Sequence, residues 1–373
     1  RVISIDSRPL APGHMLSTFP IVARPQSLMR IFKFLKMTRV WKRLPPLVTF
    51  GSETGLELIG TVSASQFVDC TVNKSHFRQI QRKLKLPSPQ SFLTEIGAES
   101  LQNVSWANGK ALMVKPNKSS GSRGVGLASG LDDLSIKELI FNASRHSRDT
   151  KVIIEEQQLG DEIGGQAFIR SGEIVGLVIS DKLRAGWFTI GHTIPSKYQE
   201  TRIFSSINDQ LTALCRFLRY ENGPVNFDAI VNGSKVTLLE IAFRTSGNGL
   251  CEVAAARNGF DFESATALLE VENSKLIVDS AKVRAKQRAA ENWRFTSSLL
   301  LRSSKTMWVS KSRFVSKPSD RYKIESLRLK PGLCRPWESV GDELGYVVLS
   351  HNEPIRLIEG EIFADSDRLL GLQ

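Results

Sequence analysis

The sequence predicts an α/β protein, and three observations carry that expectation. Short β-branched runs alternate with segments of helical period near the N-terminus, two hairpin signals lie in the middle, and the end is rich in strand-forming residues. With 373 residues, 41% hydrophobic and 24% charged, the chain has apolar surface enough for packed cores and room for two or three domains.

Val2–Ile5 is a β-branched run ending in Asp6, and Leu28–Met37 has helical spacing. Leu47–Phe50 reads as a buried strand that stops at Gly51, with a helix starting near Glu53. Together these suggest an open parallel unit, although no Gly-rich dinucleotide turn accompanies it. Asn73–Leu86 is a basic amphipathic helix broken by Leu86-Pro87-Ser88-Pro89. Ala111–Lys115 is a strand, Ile136–Ser147 a helix and Lys151–Glu155 a strand. Gly165–Arg170 and Glu173–Ile179 pair across Ser171-Gly172, and Val225–Val231 and Lys235–Ile241 across Asn232-Gly233. Between the hairpins, Asn208–Arg219 sets Leu211, Leu214, Cys215 and Leu218 on one helical face. Phe260–Leu269 is a further helix, and Gly345–Ser350 and Ile358–Phe363 are strands of the tail.

Composition narrows the function classes. The longest apolar stretches, such as Val152–Ile154 and Ser298–Leu301, are too short to span a bilayer, so no membrane is expected. The net charge is +12, with basic patches at Arg30–Arg43 and Lys282–Arg313. Neither patch carries a nucleic-acid module signature, so both read as solvated faces and nucleic acid is not an expected partner. The four cysteines, Cys70, Cys215, Cys251 and Cys334, are far apart and form no CxxC pair. They suit free thiols in a reducing cytoplasm rather than a disulfide framework or zinc site.

Three stretches carry chemistry. Lys115 ends a strand and opens the loop KPNKSSGSRGVG, which offers backbone N–H groups, hydroxyls, Lys and Arg to a polyphosphate. It matches neither the Walker A loop nor the Rossmann turn. Next, the apolar strand VII runs into Glu155, Glu156, Gln157, Gln158, Leu159, Gly160, Asp161 and Glu162, where a carboxylate can accept from ribose hydroxyls. Finally, Asp228 and Glu240 bracket one hairpin and can face the same side on adjacent strands. Two such carboxylates repel unless a cation joins them, and oxygen-only ligation suits Mg²⁺. Arg244 follows four residues on.

In this order the stretches resemble the ATP-grasp superfamily. VNK (Val72–Lys74) followed by LPSP is similar to its entry motif, VKPNKSSGSRGVG to its phosphate loop and IIEEQQLGDE to its adenine hinge and ribose acid. GPVNFDAIVNGSKVTLLEIAFRTSGNG is similar to its metal-binding hairpin. The match runs from about Val48 to about Leu269 and looks most like the branch of carbamoyl-phosphate synthetase large subunit and biotin carboxylase. Amide-forming, amino-acid-ligating relatives are equally compatible. The chain departs from the pattern where the usual Asn metal ligand falls at Ala242 and the usual Pro at Phe243. Carboxyaminoimidazole ribonucleotide synthase resembles it in the Ala. The departure leaves Asp228 and Glu240 as metal ligands, unless Asn226 or Asn248 compensates.

The resemblance implies an α+β ATP-grasp fold in three parts. These are a partial Rossmann-like N-terminal domain at 1–72, a two-lobed ATP-grasp domain at 73–275 and a strand-rich C-terminal extension at 276–373. The lobes divide near 153. ATP with Mg²⁺ or Mn²⁺ is the implied cofactor set. Lys74, Lys115, Ser120, Gly121, Ser122, Arg123 and Gly124 would hold the phosphates. Glu155, Glu156 and Gln158 would border the adenine, and Glu162 would meet the ribose. Arg244, Glu240 and His192 (in Gly-His-Thr-Ile-Pro) would be catalytic, with Thr245–Gly249 as an acceptor-side loop. The implied reaction is ATP-dependent carboxylate–amine ligation through an acyl-phosphate, releasing ADP and phosphate, in a small-molecule enzyme compatible with a homodimer. Carboxyphosphate chemistry on bicarbonate, or a nucleotide-binding module without catalysis, are the alternatives.

Overall fold

The computed structural model describes residues 3–6, 19–22, 66–95, 107, 109–129, 135–186, 188–257, 260–267, 293–302, 306–309, 321–329, 332–334, 336–337 and 343–357. Ile3–Asp6 (β1) and Phe19–Val22 (β2) pair in parallel, with Ile3 opposite Phe19. The helix expected at Leu28–Met37, the strand at Leu47–Phe50, the helix start near Glu53 and the strand at Ile358–Phe363 lie outside the described residues, as does the patch Arg30–Arg43.

Gln66–Val72 (α1) leads into Lys74–Lys83 (α2). Asn73 caps α2, its Oδ1 accepting from the His76 N–H at 3.2 Å. The helix ends three residues before the expected Leu86, because Lys85 takes a left-handed φ of 55° and Pro87 cannot continue a helix.

A small antiparallel sheet follows, built from Ser91–Thr94 (β3), Leu112–Pro116 (β4), Gly126–Ala128 (β5) and Val152–Glu156 (β6) in the order β3-β6-β4-β5. Ile136–His146 (α3) covers one face, packing Ile136, Ile140 and Ala143 against Leu112, Val114, Val152 and Ile154.

The larger sheet begins with Asp161–Arg170 (β7) and Glu173–Ala185 (β8), a hairpin turning at Ser171-Gly172 as expected but with longer strands. Phe188–Ile194 (β9) comes next, then Arg202–Leu218 (α4). This helix starts six residues earlier than its apolar stripe suggested, because Thr201 caps it by accepting from the Ile203 N–H. Gly223–Asn232 (β10) and Lys235–Ala242 (β11) form the second hairpin. Asn232 pairs with Lys235, so its tight turn is Gly233-Ser234, one residue beyond the expected Asn232-Gly233.

After Leu250–Arg257 (α5) and Phe262–Ala267 (α6), the C-terminal strands are Phe295–Leu301 (β12), Met307–Val309 (β13), Tyr322–Leu329 (β14), Gly332–Cys334 (β15) and Gly345–His351 (β16). β13 and β15 pair separately. The others extend the large sheet, whose order is β11-β10-β7-β8-β9-β12-β16-β14. The strand-rich tail thus hydrogen-bonds directly onto β9.

One face of the β7–β8–β10–β11 region buries Ile163, Ala167, Val225, Phe227 and Ile241 against Phe77 and Ile80 of α2 and Ile207, Leu211 and Leu214 of α4. Removing these apolar side chains from water is the main stabilising term for the large sheet. Toward one end, Phe168, Val178 and Ile194 pack against α5 and α6. The rest of the opposite face stays open toward the small sheet. No helix among the described residues is long and apolar enough to cross a membrane.

Candidate nucleotide and metal site

A cavity of about 510 Å³ lies between the two sheets, inside the roughly 300–1,000 Å³ range of small-molecule sites. β4, the loop after it and β6 supply one wall; the open face of β7, β8, β10 and β11 supplies the other.

The small-sheet wall starts with Lys115. Its Nζ donates to Glu155 Oε2 at 2.8 Å, while Arg78 of α2 approaches the other oxygen, Nε to Oε1, at 2.7 Å. Arg78 and Glu155 are each only 1% exposed. The guanidinium also donates to the carbonyl of Leu239 at 2.7 Å and to Gln81 Oε1 at 2.7 Å. Burial opposes ionisation of Glu155, but the two cations and their hydrogen bonds outweigh it and hold the carboxyl down to about 2. Glu155 is therefore a charged link joining α2, β4 and β6, with both carboxylate oxygens held by protein cations. Lys74 is held from two sides, donating to the Ser119 carbonyl at 2.8 Å with Glu240 Oε1 3.7 Å away.

Gly121, Ser122 and Gly124 all take left-handed φ values, 69°, 55° and 69°. Such left-handed turns in a Gly/Ser-rich loop are of the kind from which anion-binding backbone concavities are built. Ser119–Arg123 line the cavity, and Arg123 Nε donates to the Ser120 carbonyl.

On the large sheet, Asp228 and Glu240 are register partners across β10 and β11. They face the cavity with Glu162 of β7 and with Lys182 and Arg184 of β8. Lys182, 4% exposed at its side chain, sits between Asp228 Oδ2 at 2.7 Å and Glu162 Oε1 at 2.9 Å. Gly164 leaves room beside that crossing. A Cβ there would lie 3.2 Å from Lys182 Cε and 3.4 Å from Asp228 Oδ1. Arg184 pairs with Glu162 from the other side.

No protein-family model and no curated protein matches the chain by sequence. Solved structures do match in three dimensions. The chain is similar to phosphoribosylglycinamide synthetase from Anaerococcus prevotii, 15% identical, with TM-score 0.64 over 98% of this chain and 91% of that one. It is similar to an L-amino acid ligase from Bacillus licheniformis at 12% identity and TM-score 0.61, covering 94% and 85%. It is also similar to the biotin carboxylase domain of the Hydrogenobacter thermophilus 2-oxoglutarate carboxylase, at 10% identity and TM-score 0.63, covering 99% and 83%. The fold is ATP-grasp.

Within this ATP-grasp fold, Lys74, Lys115, Ser120, Gly121, Ser122, Arg123, Glu155, Glu156, Gln158, Glu162, Asp228 and Glu240 line one cavity. Three expected site residues do not. Gly124 turns against α3, where a Cβ would meet His146 at 2.8 Å. His192 is buried, with Nδ1 2.9 Å from Ser180 Oγ. Burial, then the neighbouring Lys182 charge, pushes its pKa down to about 3, so it is neutral at physiological pH. Arg244 lies past the end of β11, its carbonyl accepting from the buried Gln166 and its Nη1 donating to the Thr245 carbonyl.

The sequence reading did not single out Arg78, Lys182 or Arg184. In sequence Arg78 is one cation of the basic amphipathic helix Asn73–Leu86; only the fold brings Glu155, 77 residues on, to meet it. Among the described residues no cluster of three or more His, Cys, Asp or Glu side chains converges on one point. Asp228 and Glu240 nevertheless fit a hard divalent cation, since each is an oxygen donor that already faces an ammonium group. Two protein carboxylates leave the remaining positions to water and phosphate, as Mg²⁺ prefers. The thiols of Cys70, Cys215 and Cys251 are free and buried; burial pushes Cys215 up to about 12 and the other two higher still.

Proposed function

We propose that this protein is an ATP-dependent ligase that joins a carboxylic acid to an amine through an acyl-phosphate, releasing ADP and phosphate. The observation that carries the reading is the cavity itself, with a hydroxyl- and amide-rich loop and two lysines facing a register-matched carboxylate pair. That arrangement suits a nucleoside triphosphate and a divalent cation, and little else requires both walls at once.

Each residue then has a role. Lys115 and Lys74 supply positive charge to the phosphates, and the Ser119–Arg123 backbone closes over them. The Glu156–Gln158 segment borders the base, and Glu162 meets the ribose. Asp228 and Glu240 would hold Mg²⁺ or Mn²⁺, which when bound neutralises charge on the transferring phosphoryl group. Arg244, which lies outside the cavity wall with its Nη1 on the Thr245 carbonyl, would have to turn inward to act on the phosphoryl group from the acceptor side, where Thr245–Gly249 would meet the acid. Because His192 is neutral and enclosed, its part in this reading is to fix Ser180 beneath Lys182 rather than to move a proton. Positioning and fixed charge do the catalytic work, as in other phosphoryl transfers. No protein nucleophile is needed, and the buried thiols stay protonated.

A second reading uses bicarbonate in place of the organic acid. It is supported by the fold-level likeness to the biotin carboxylase domain described with MgADP and bicarbonate. We take residues 1–72, 73–275 and 276–373 as the units of the enzyme and place it in a reducing cytoplasm. An ADP-release screen over amino acids, other carboxylic acids and bicarbonate tests the proposal. ADP that requires both an acid and an amine supports it. ADP that requires bicarbonate alone selects the second reading. ATP binding that Mg²⁺ does not tighten, with no ADP from any pair, identifies a nucleotide-binding module without catalysis.

A further inference from the structure

The charges lining the large-sheet wall are balanced before any ligand enters. Four carboxylates, Asp161, Glu162, Asp228 and Glu240, are matched by four cations, Lys197, Arg184, Lys182 and Lys74. The carboxylates proposed for a metal are the ones lysines already hold. Lys182 is 2.7 Å from Asp228 and Lys74 is 3.7 Å from Glu240. The two contacts are not equal. Lys74 sits at a side chain 16% exposed, opposite a Glu240 that is 35% exposed, so water screens that pair. Lys182 is 4% exposed and touches two carboxylates. A buried ammonium is costly without such partners, so it cannot leave Asp228 for empty space.

A divalent cation approaching the wall alone therefore meets carboxylates whose charge is already neutralised, with an ammonium in its way. A polyphosphate changes the balance, because it brings anionic oxygens to the same side of the sheet. The Lys182 ammonium, on a flexible four-carbon stem, can then exchange carboxylate for phosphate.

We propose that Lys182 is a displaceable counter-cation of Asp228 that makes divalent-metal binding conditional on nucleotide. The inference rests on Asp228 and Glu240 as the metal-binding pair. It assigns Lys182 a positioning role that the site description leaves open. Lys182 suppresses metal binding in the free protein and, once nucleotide arrives, releases Asp228 to the metal. Binding linkage then requires that metal tighten nucleotide by the same factor as nucleotide tightens metal. Lys74 acts in the same sense on Glu240, more weakly.

The test measures Mn²⁺ binding directly, by electron paramagnetic resonance of the free ion, on the full chain with and without ATP. Lys182→Met keeps the apolar stem and removes the charge. It should tighten nucleotide-free Mn²⁺ binding by roughly tenfold or more, within the usual 5–150-fold span of coupling between sites. The enhancement by ATP should shrink correspondingly. Lys182→Arg should restore the suppression. Unchanged nucleotide-free affinity in Lys182→Met, or an Arg variant that binds as tightly as Met, overturns the inference. Should Lys182→Met fail to fold, the unaltered protein still decides the matter: Mn²⁺ that binds as tightly without ATP as with it overturns the inference. Asp228→Asn separates the two claims. If ATP-dependent Mn²⁺ binding to the unaltered protein survives Asp228→Asn, the metal assignment itself fails and the role of Lys182 falls with it.

Discussion

Replacing Glu155 with Gln should weaken folding far more than its single lost charge suggests. The carboxylate is 1% exposed and serves two cations, Arg78 at 2.7 Å and Lys115 at 2.8 Å. Arg78 is equally enclosed, so Glu155→Gln leaves a buried guanidinium without its counter-ion. Removing one partner of a buried pair costs about 3–5 kcal/mol. The lowered pKa expresses the same contacts as a free energy. Holding the group at about 2 rather than its ordinary 4.5 corresponds to roughly 3 kcal/mol of preferential stabilisation of the charged form. A loss of that size places the folding constant down by about two orders of magnitude. Because the folded pKa lies below the unfolded one, this contribution is fully present above 4.5 and disappears as pH falls toward about 2. Urea unfolding of both proteins, followed by tryptophan fluorescence from neutral pH downward, reads the effect. The gap between them should be widest at neutral pH and should close below 4.5. Adding Arg78→Met should recover part of the loss, since it removes the stranded charge. A Glu155→Gln protein within about 0.5 kcal/mol of the original at neutral pH, the scale of a neutral surface change, would refute the assignment of Glu155 as a charged structural link.

Glu240→Gln should keep the fold and abolish ADP formation, a loss of several kcal/mol of transition-state stabilisation; near-original turnover in steady-state kinetics would remove Glu240 from the metal pair. The amides of Ser119–Gly126 should exchange rapidly in the free protein and become protected at saturating MgATP, as hydrogen-exchange mass spectrometry can show. Unchanged exchange would make the loop a connector only. His192 should stay neutral down to pH values well below those of an ordinary histidine, with a ring titration by NMR centred near about 3 if the fold persists there. A midpoint near 6.5 would mean that the ring reaches water and that its enclosure is wrong.

How far the sequence revealed this site depended on whether a signal was local. The second hairpin is a short-range pattern, so the facing of Asp228 and Glu240 could be anticipated and the register bears it out. Two of the four small-sheet strands, β4 and β6, and the helix that covers them fell within a residue of their apolar runs, whereas the short β3 and β5 were not anticipated. Long-range pairing was illegible. Nothing in Phe295–Leu301 announces that it hydrogen-bonds to β9, and Phe188–Ile194 carries too few alternating residues to declare itself as a strand. Lys182 shows the same limit in the site. In sequence it is one cation among fifty Lys and Arg residues, and its meaning comes from Gly164, Glu162 and Asp228 on two neighbouring strands. Arg78 likewise follows the basic pattern of its helix, yet the fold turns it inward. Charged residues default to solvent in any pattern-based reading, and the informative exceptions are the ones tertiary structure buries.

The most direct measurement of the proposed chemistry follows oxygen. Carboxylic acid labelled with ¹⁸O, incubated with the enzyme, ATP, Mg²⁺ and the amine, passes one labelled oxygen to phosphorus when the acyl-phosphate forms. Displacement by the amine then releases that oxygen with inorganic phosphate. Mass spectrometry should therefore find ¹⁸O in the phosphate, with ADP as the nucleotide product. Label in AMP, accompanied by pyrophosphate, would contradict the account by showing that the acid is activated as an adenylate.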